Sequence, residues 1–468
     1  MRILLVQPGR HRNMIGFSDI IRPEPLVLEI LAACLPGHEV EILDLRVEDG
    51  LEEKLKSFKP DVVGVTGYTT VVPAMHGVCQ LAKSLNPRVV TVVGGYHASL
   101  MPQDFDRDYV DVITVGEGER IIAELVDALE RGRSLDKVDG LIYRKDGRQV
   151  TTKPRAMIAD LDSTPLPSRH LSERNRDKYH FHFWSRPALV ETARGCPYRC
   201  TFCSVWKFHK KICRFKTPER VLIELKQLDS PEIVAFVDDN FLQNIRRAER
   251  IYQLIKDEGI QTKYWMQARA DSIVRHPEII EKWASIGLTT ILIGFEKFRE
   301  DELDSLNKKS SIKTNEKCME VMRKYGVEMW GGFIVDPQWT REDFDACIDY
   351  VRGMKITFPQ FTVLTPLPGT EFYEEKKSQL ITDNYEVFDF LHTVLPTRLP
   401  AEEFYQNMAR LYTTCTLSLS DIRQRIRSGR FPATTLERVR GLLADVTSAD
   451  AYIRTMGNLK TGASTSNT

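Results

Sequence analysis

Two runs of alternating strand-like and helix-like segments, separated by a proline-marked connection, restrict this chain to α/β architectures. In the first run, ILLV at Ile3 to Val6, EVEILDL, VVGVTGY, VVTVVGG and VDVITVG alternate with amphipathic stretches. Those stretches cover Leu26 to Leu35, Leu51 to Phe58, Ala74 to Leu85 and Glu119 to Arg131. Strands that are apolar throughout are buried on both faces, which predicts a doubly wound parallel sheet over residues 1–140. Ligands of such sheets sit beyond the carboxyl ends of the strands. The sequence places Gly67, Tyr68 and Thr69 there, then Gly94, Gly95, Tyr96 and His97, then Gly116, Glu117 and Gly118. Glycine at these points either lets the backbone approach a ligand or simply makes a tight strand-to-helix turn.

Residues 141–186 read as a linker, with LIYRKDGRQVTT forming a hairpin around Asp146 and Gly147, followed by DLDSTPLPSRH. From Pro187 a second alternation begins. Helices are expected over Thr217 to Leu228, Ile245 to Glu258, Pro277 to Ser285, Thr314 to Tyr325 and Arg341 to Met354. Six strand-helix units predict a partial TIM-type (β/α)6 barrel over residues 187–374, with function at the C-terminal strand ends. Residues 375–455 read as a helical C-terminal domain, with helices over Glu402 to Thr413, Ser418 to Arg427 and Thr434 to Leu443. The small polar residues of 456–468 read as a disordered tail.

Lys plus Arg and Asp plus Glu both number 65, which removes the electrostatic case for a nucleic-acid partner. MRILLVQPGR is a first buried strand and not a signal-peptide core, and no apolar stretch is long enough for a transmembrane segment. Of nine cysteines, six are scattered and three cluster, a pattern of a reducing cytoplasm with one metal or redox site.

ETARGCPYRCTFCSVW carries the cluster: Cys196, Cys200 and Cys203, with three and then two residues between them, directly after an expected strand. Thiolates so spaced are natural iron-sulfur or zinc ligands. His209 or Cys213 would have to close a four-ligand zinc site. A loop that supplies three ligands only leaves one iron open to a substrate.

This run resembles the CxxxCxxC signature of the radical S-adenosylmethionine superfamily, including Phe202 just before the third cysteine. The resemblance implies a 4Fe-4S cluster whose open iron is chelated by S-adenosylmethionine, and reductive cleavage of that cosubstrate to a 5'-deoxyadenosyl radical. It implies further cosubstrate contacts at Asp238 and Asp239 after the second strand, Arg269 at the third and Glu296 at the fourth. The residue types allow plainer roles: helix capping for the aspartates, a structural ion pair for Arg269, a surface position for Glu296.

A doubly wound domain ahead of the radical domain resembles the cobalamin-binding subgroup. Specific marks are Val93 to Ser99 with Pro102, Val115 to Glu119, and Leu364 to Thr370. The glycine-rich strand ends named above then become the cobalamin pocket. The loop Gln7 to Asn13 lacks the Asp-x-His-x-x-Gly pattern that supplies an axial histidine in mutase-type domains, so no histidine from that loop is expected on the cobalt. His76 and His97 lie near the expected pocket, where a hydrogen-bonded structural histidine is the plainer assignment.

The subgroup implies a radical methyltransferase acting on an unactivated carbon of a small-molecule substrate, fed by an electron donor such as flavodoxin or ferredoxin. Its layout is similar to hopanoid methylases, which act on a polycyclic lipid. A ring-forming cyclase of the bacteriochlorophyll type shares the domain order, and a bare electron carrier or cobalamin-binding module is the non-enzymatic alternative. The segment Phe388 to His392, with Phe404 and Tyr405, either covers an apolar substrate or packs as ordinary core.

Overall fold

In the computed structural model, which describes residues 1–10, 15 and 20–457, the first alternation folds into strands β1 (Arg2–Gln7), β2 (Ile21–Arg22), β3 (Glu39–Asp44), β4 (Val62–Thr66), β5 (Val90–Gly94), β6 (Val112–Thr114), β7 (Leu141–Lys145) and β8 (Arg148–Thr151). Seven of them form one sheet in the order β3-β1-β4-β5-β6-β7-β8. Pairing is parallel from β3 to β6 and antiparallel beyond it. Period-two alternation decides the faces: Leu4 and Val6 pack with Met75 and Val78 on one side, Ile3 and Leu5 with Leu28 and Leu125 on the other. Both faces are covered by helices, as the doubly wound pattern requires.

The Asp146–Gly147 hairpin departs from expectation. Instead of standing in a linker, its first strand pairs with β6, and Leu141 and Tyr143 are buried in the sheet's second core. The physical reason is that β6 otherwise presents an open edge and the hairpin's alternate apolar residues otherwise lack a face to bury.

The remaining strands are β9 (His180–Phe181), β10 (Trp184–Ser185), β11 (Pro187–Val190), β12 (Ala193–Arg194), β13 (Arg214–Phe215), β14 (Ile233–Phe236), β15 (Lys263–Ala268), β16 (Leu288–Glu296), β17 (Glu328–Val335) and β18 (Phe358–Val363). Strand β2 pairs with β9, which pairs with β10. Six strands run parallel in chain order, β11-β14-β15-β16-β17-β18. Glu24 fastens the connection between the two sheets: its carboxylate accepts from the Leu189 amide at 2.8 Å and from Arg176 at 2.8 Å, while Arg169 reaches Glu224 at 3.1 Å.

The C-terminal helices are a second departure. Phe404, Tyr405, Met408 and Leu411 of helix Ala401–Cys415 join the core under β18, and Tyr412 hydrogen-bonds both backbone groups of Phe361 on that edge strand. This helix therefore shares the barrel's core, while Ile422, Phe431 and Val439 pack with Phe183, Trp330 and Phe358 in a second cluster against the same sheet. Of the tail over 456–468, residues 458–468 lie outside the described residues, as do residues 11–13 of the loop after β1.

Candidate cofactor site

The cysteine loop leaves from β12 and returns to β13, which pair antiparallel, so Ala193–Arg194 and Arg214–Phe215 clamp its base. Gly195 opens the loop at φ +90°, and a Cβ there would sit 2.3 Å from the Ile212 carbonyl oxygen, so only glycine fits. The loop is then held at several points. Asp239 accepts from the Gly195 amide at 3.0 Å, Trp206 donates to the Cys200 carbonyl at 2.9 Å, and Asn307 donates to the Arg199 carbonyl at 2.8 Å. Cys200 is buried, with Cys196 and Cys203 half-buried. Burial raises all three thiols, Cys203 to about 12, so a bound cation would favour the thiolates that burial alone disfavours.

The neighbours expected to close a zinc site are committed elsewhere. Arg214 can only donate, so at 3.0 Å it makes His209 Nδ1 an acceptor and leaves Nε2–H for the Tyr96 oxygen, also at 3.0 Å. The Cys213 thiol faces the Gly195 carbonyl at 3.6 Å. Among the described residues no three His, Cys, Asp or Glu side chains gather tightly enough for a single ion. Three thiols on a rigid loop, too dispersed for one ion and without a fourth protein ligand, fit a polynuclear cluster held at three corners.

The strand-end residues divide. Asp239 keeps one oxygen free, and burial, only partly offset by the Gly195 amide and reinforced by Asp238 and Glu191, pushes its carboxyl up to about 7. Asp238, named with it from sequence, is spent on structure: it accepts from the Thr192 amide at 2.6 Å, the Ala193 amide at 2.9 Å and the Thr192 hydroxyl. Arg269 is likewise committed, bonding Asp271 at 2.8 Å and the Lys308 and Lys309 carbonyls at 2.8 and 3.0 Å, while its guanidinium lies 3.6 Å over the Tyr198 ring. It braces the cysteine loop from below. Glu296 ends β16 at φ +67°, past a bulge, and pairs with Lys308 at 2.6 Å. Its side chain folds back over Gly294, where a Cβ would lie 2.2 Å from Oε1. A left-handed glutamate at a strand end is strained, and such strain gathers at functional sites. Phe202 packs in a small apolar cluster with Leu306, Ile334, Leu364 and Phe372 at the strand ends.

On the other side, the glycines chiefly serve the protein's own packing. A Cβ at Gly67 would meet Val71 at 2.4 Å, at Gly94 Thr114 at 2.5 Å, and at Gly118 Leu31 at 3.0 Å. Gly95, at φ +98°, would meet Thr66 at 2.5 Å. Gly116 is different: at φ +104° it faces open space.

Tyr68 stands at the centre. It is 69% exposed, yet desolvation by the surrounding protein, and the charges of Asp239 and Glu191, raise its phenol. The exposed Tyr68 ring of the first sheet thus lies within electrostatic reach of Asp239 and Glu191 from the second half of the chain. Tyr96 lies beside it at 6.0 Å between ring centroids and stacks on Phe208 at 4.3 Å. Its phenol is raised by burial and by Asp239, Tyr68, Glu191 and Cys203.

Two residues expected at the cobalamin pocket have partners within the protein. His97 bonds Thr69 at 3.1 Å and Asp104 at 2.9 Å, with Tyr385 donating to the same Asp104 oxygen, so both ring nitrogens are satisfied inside the protein. Glu117 turns away to clamp the halves together: it accepts from Arg194 at 2.9 Å, Arg214 at 2.8 Å and the Ile158 amide at 2.7 Å. The sequence reading missed Glu191, Lys308 and Tyr198. Glu191 and Tyr198 flank the cysteines, a signal that was available; Lys308 had none.

Of the apolar C-terminal residues, Phe388, Leu391, Phe404 and Tyr405 are core. Phe390 is 42% exposed at φ +67°, its carbonyl accepting from the Val363 amide at the end of β18.

Comparison with known proteins follows this geometry. Residues 22–126 match the B12 binding domain and residues 190–351 the Radical SAM superfamily. The chain is 32% identical over 423 residues to a hopanoid C-3 methylase of Methylococcus capsulatus, covering 88% of this chain and 79% of that protein. It is 30% identical over 411 residues to an anaerobic magnesium-protoporphyrin IX monomethyl ester cyclase of Rubrivivax gelatinosus, covering 83% and 72%. The fold is similar, at a TM-score of 0.70 and 17% identity over 97% of this chain and 99% of the other, to the radical S-adenosylmethionine methyltransferase TsrM of Kitasatospora setae.

Proposed function

This chain belongs to the radical S-adenosylmethionine enzymes that carry a B12-binding domain and is a methyltransferase of that family; we propose that it methylates an unactivated carbon of a polycyclic lipid. The observation that carries this reading is the meeting of the two sheets' strand ends at the cysteine loop, where Tyr96, 6.0 Å from the exposed Tyr68 ring, stacks on Phe208 at 4.3 Å and bonds His209 at 3.0 Å.

When bound, the cluster with S-adenosylmethionine supplies a 5'-deoxyadenosyl radical, and the corrinoid supplies the methyl group. Cys196, Cys200 and Cys203 would hold the iron. The second oxygen of Asp239 would accept from the cosubstrate's ammonium, and Glu296, steadied by Lys308, would accept from a ribose hydroxyl. Phe202 and its apolar neighbours keep water from the strand ends. Tyr68 would offer the corrinoid an exposed aromatic face, and Gly116, with open space where a Cβ would stand, would leave room beside it. Nine unpaired cysteines suit a reducing cytoplasm.

The lipid assignment draws on the hopanoid methylase likeness and on Phe390, an exposed aromatic held in a strained backbone at the end of β18. Anaerobic reconstitution with iron, sulfide and cobalamin, followed by incubation with a pentacyclic hopanoid and a reductant, tests it. Formation of 5'-deoxyadenosine with a lipid product one methyl group heavier is expected. Cosubstrate cleavage with corrinoid retained but no mass gain on polycyclic lipids overturns the substrate. Ring closure of a porphyrin ester without methyl gain favours the cyclase chemistry instead.

A further inference from the structure

Cleavage of S-adenosylmethionine consumes one electron per event, and no redox group in the chemistry above supplies it anew, so an external carrier has to reach the cysteine loop. A cleft of about 620 Å³ opens directly against that loop. Pro197, the residue covalently next to Cys196, forms part of its wall, with Cys213 from the loop's return and Lys211, Arg246 and His276 around it.

Lys210, Lys211 and Arg246 are all exposed, and among the described residues no carboxylate lies within 4.0 Å of any of them. The chain as a whole is balanced, with 65 cationic and 65 anionic side chains, so a cluster of unpaired cations here is a local excess. Of the neighbouring acids, Asp271 pairs with Arg269 and Arg275, Glu219 with Arg250 and Glu249 with Lys282, while Glu278 lies 3.4 Å from His276 on the cleft wall. Between the lysines and the loop's return stands Ile212, a 49% exposed apolar side chain. The turn that presents it is strained, with Lys210 at φ +50° and Lys211 at φ +65°, both non-glycine residues in the left-handed region. An exposed apolar side chain following two lysines that face no carboxylate, beside a cleft that Arg246 also lines, is the anatomy of a docking surface for an acidic protein, in which charge steers the encounter and the apolar side chain holds it.

We propose that this cleft is where an acidic, low-potential one-electron carrier protein docks. The proposal rests on the radical enzyme reading above and names the partner of that same site. One electron leaves the carrier's reduced centre, which is oxidised by one unit, and enters the group held by Cys196. It then reduces the sulfonium of S-adenosylmethionine, whose sulfur–C5' bond breaks to methionine and the 5'-deoxyadenosyl radical. The carrier approaches from the side of the cleft, which leaves the Tyr68 side to substrate and corrinoid.

The test uses the reconstituted holoenzyme and flavodoxin hydroquinone as the probe. Cluster reduction is followed by stopped-flow absorbance and flavodoxin binding by titration, for the wild type and for the double variant Lys211→Glu, Arg246→Glu. The expected result is about a tenfold or greater drop in the second-order reduction rate at low salt, with a flattened salt dependence and weaker flavodoxin binding. Iron content, thermal midpoint and reduction by dithionite stay at wild-type values. Reduction and binding of flavodoxin at the wild-type rate and affinity overturn the docking site and leave the enzyme reading standing. Failure of dithionite to drive 5'-deoxyadenosine formation in the wild type overturns both.

Discussion

Glu117 and Arg214 come from different halves of the chain, and Arg214 Nη1 lies 2.8 Å from each carboxylate oxygen of Glu117. With Arg194 donating to the same carboxylate, the contact is a buried ionic clamp between the B12-binding sheet and the base of the cysteine loop. Burial alone would raise this carboxyl, but Arg214, Arg194 and the Ile158 amide outweigh it and hold Glu117 at about 2.

Glu117→Gln leaves two arginines buried without their partner. It is expected to cost about 3 to 5 kcal/mol in urea unfolding at neutral pH. Because the folded value lies below the ordinary 4.5, the wild type keeps this stabilisation above pH 4.5 and loses it as pH falls toward 2. The variant lacks that part of the acid limb, which a stability-against-pH series reads directly.

Glu29 carries the opposite sign. Burial, then Glu24, raises its carboxyl to about 8, against the lowering effect of Ser172, Arg169 and Arg176, and one of its oxygens has no partner. Its contribution to stability is present below pH 4.5 and lost as pH rises through about 8. Glu29→Gln is therefore expected to be near neutral at pH 5 and to stabilise by about 1 to 3 kcal/mol at pH 9, measured by the same unfolding series.

Cys200→Ala is expected to abolish cluster assembly and 5'-deoxyadenosine formation, read by iron and sulfide analysis. Cys213→Ala, whose thiol only faces the Gly195 carbonyl, keeps iron at the wild-type level. Equal iron loss in both variants would make Cys213 a ligand.

The two adjacent aspartates separate by phenotype. Asp239→Asn is expected to weaken S-adenosylmethionine binding about 10- to 100-fold in calorimetric titration with little change in thermal midpoint. Asp238→Asn, which loses acceptors for the Thr192 and Ala193 amides, lowers the midpoint instead.

Tyr68→Ala removes an aromatic surface that is 69% exposed in the protein alone, so folding is expected to be unaffected. Corrinoid affinity, followed by absorbance after gel filtration, is expected to fall about 10-fold or more.

Strands and helices were legible because apolar residues fall at periods of two and 3.6 with clear stops; Pro277–Ser285 and Arg341–Met354 match residue for residue. The three cysteines were legible because spacing along one loop is itself the signal. The commitments of polar strand-end residues were harder to read. Glu117, Asp238, Arg269 and His97 sit where a side chain can turn toward a ligand or toward the protein, and partners such as Arg214, Thr192 and Lys308 lie at sequence distances that no local pattern encodes. The hairpin after residue 140 was assigned to the linker for the same reason: its partner, β6, lies well upstream.

The hairpin's pairing to β6 also sets where this chain can be cut. A module ending at residue 140 would expose β6 and strip Leu141 and Tyr143 from the core, whereas one ending after Thr151 keeps the sheet closed. Even that fragment carries Glu117 away from Arg194 and Arg214. Recombination among relatives with the same domain order is thus constrained to inherit the two halves together, or to exchange the acid and its arginines as a set.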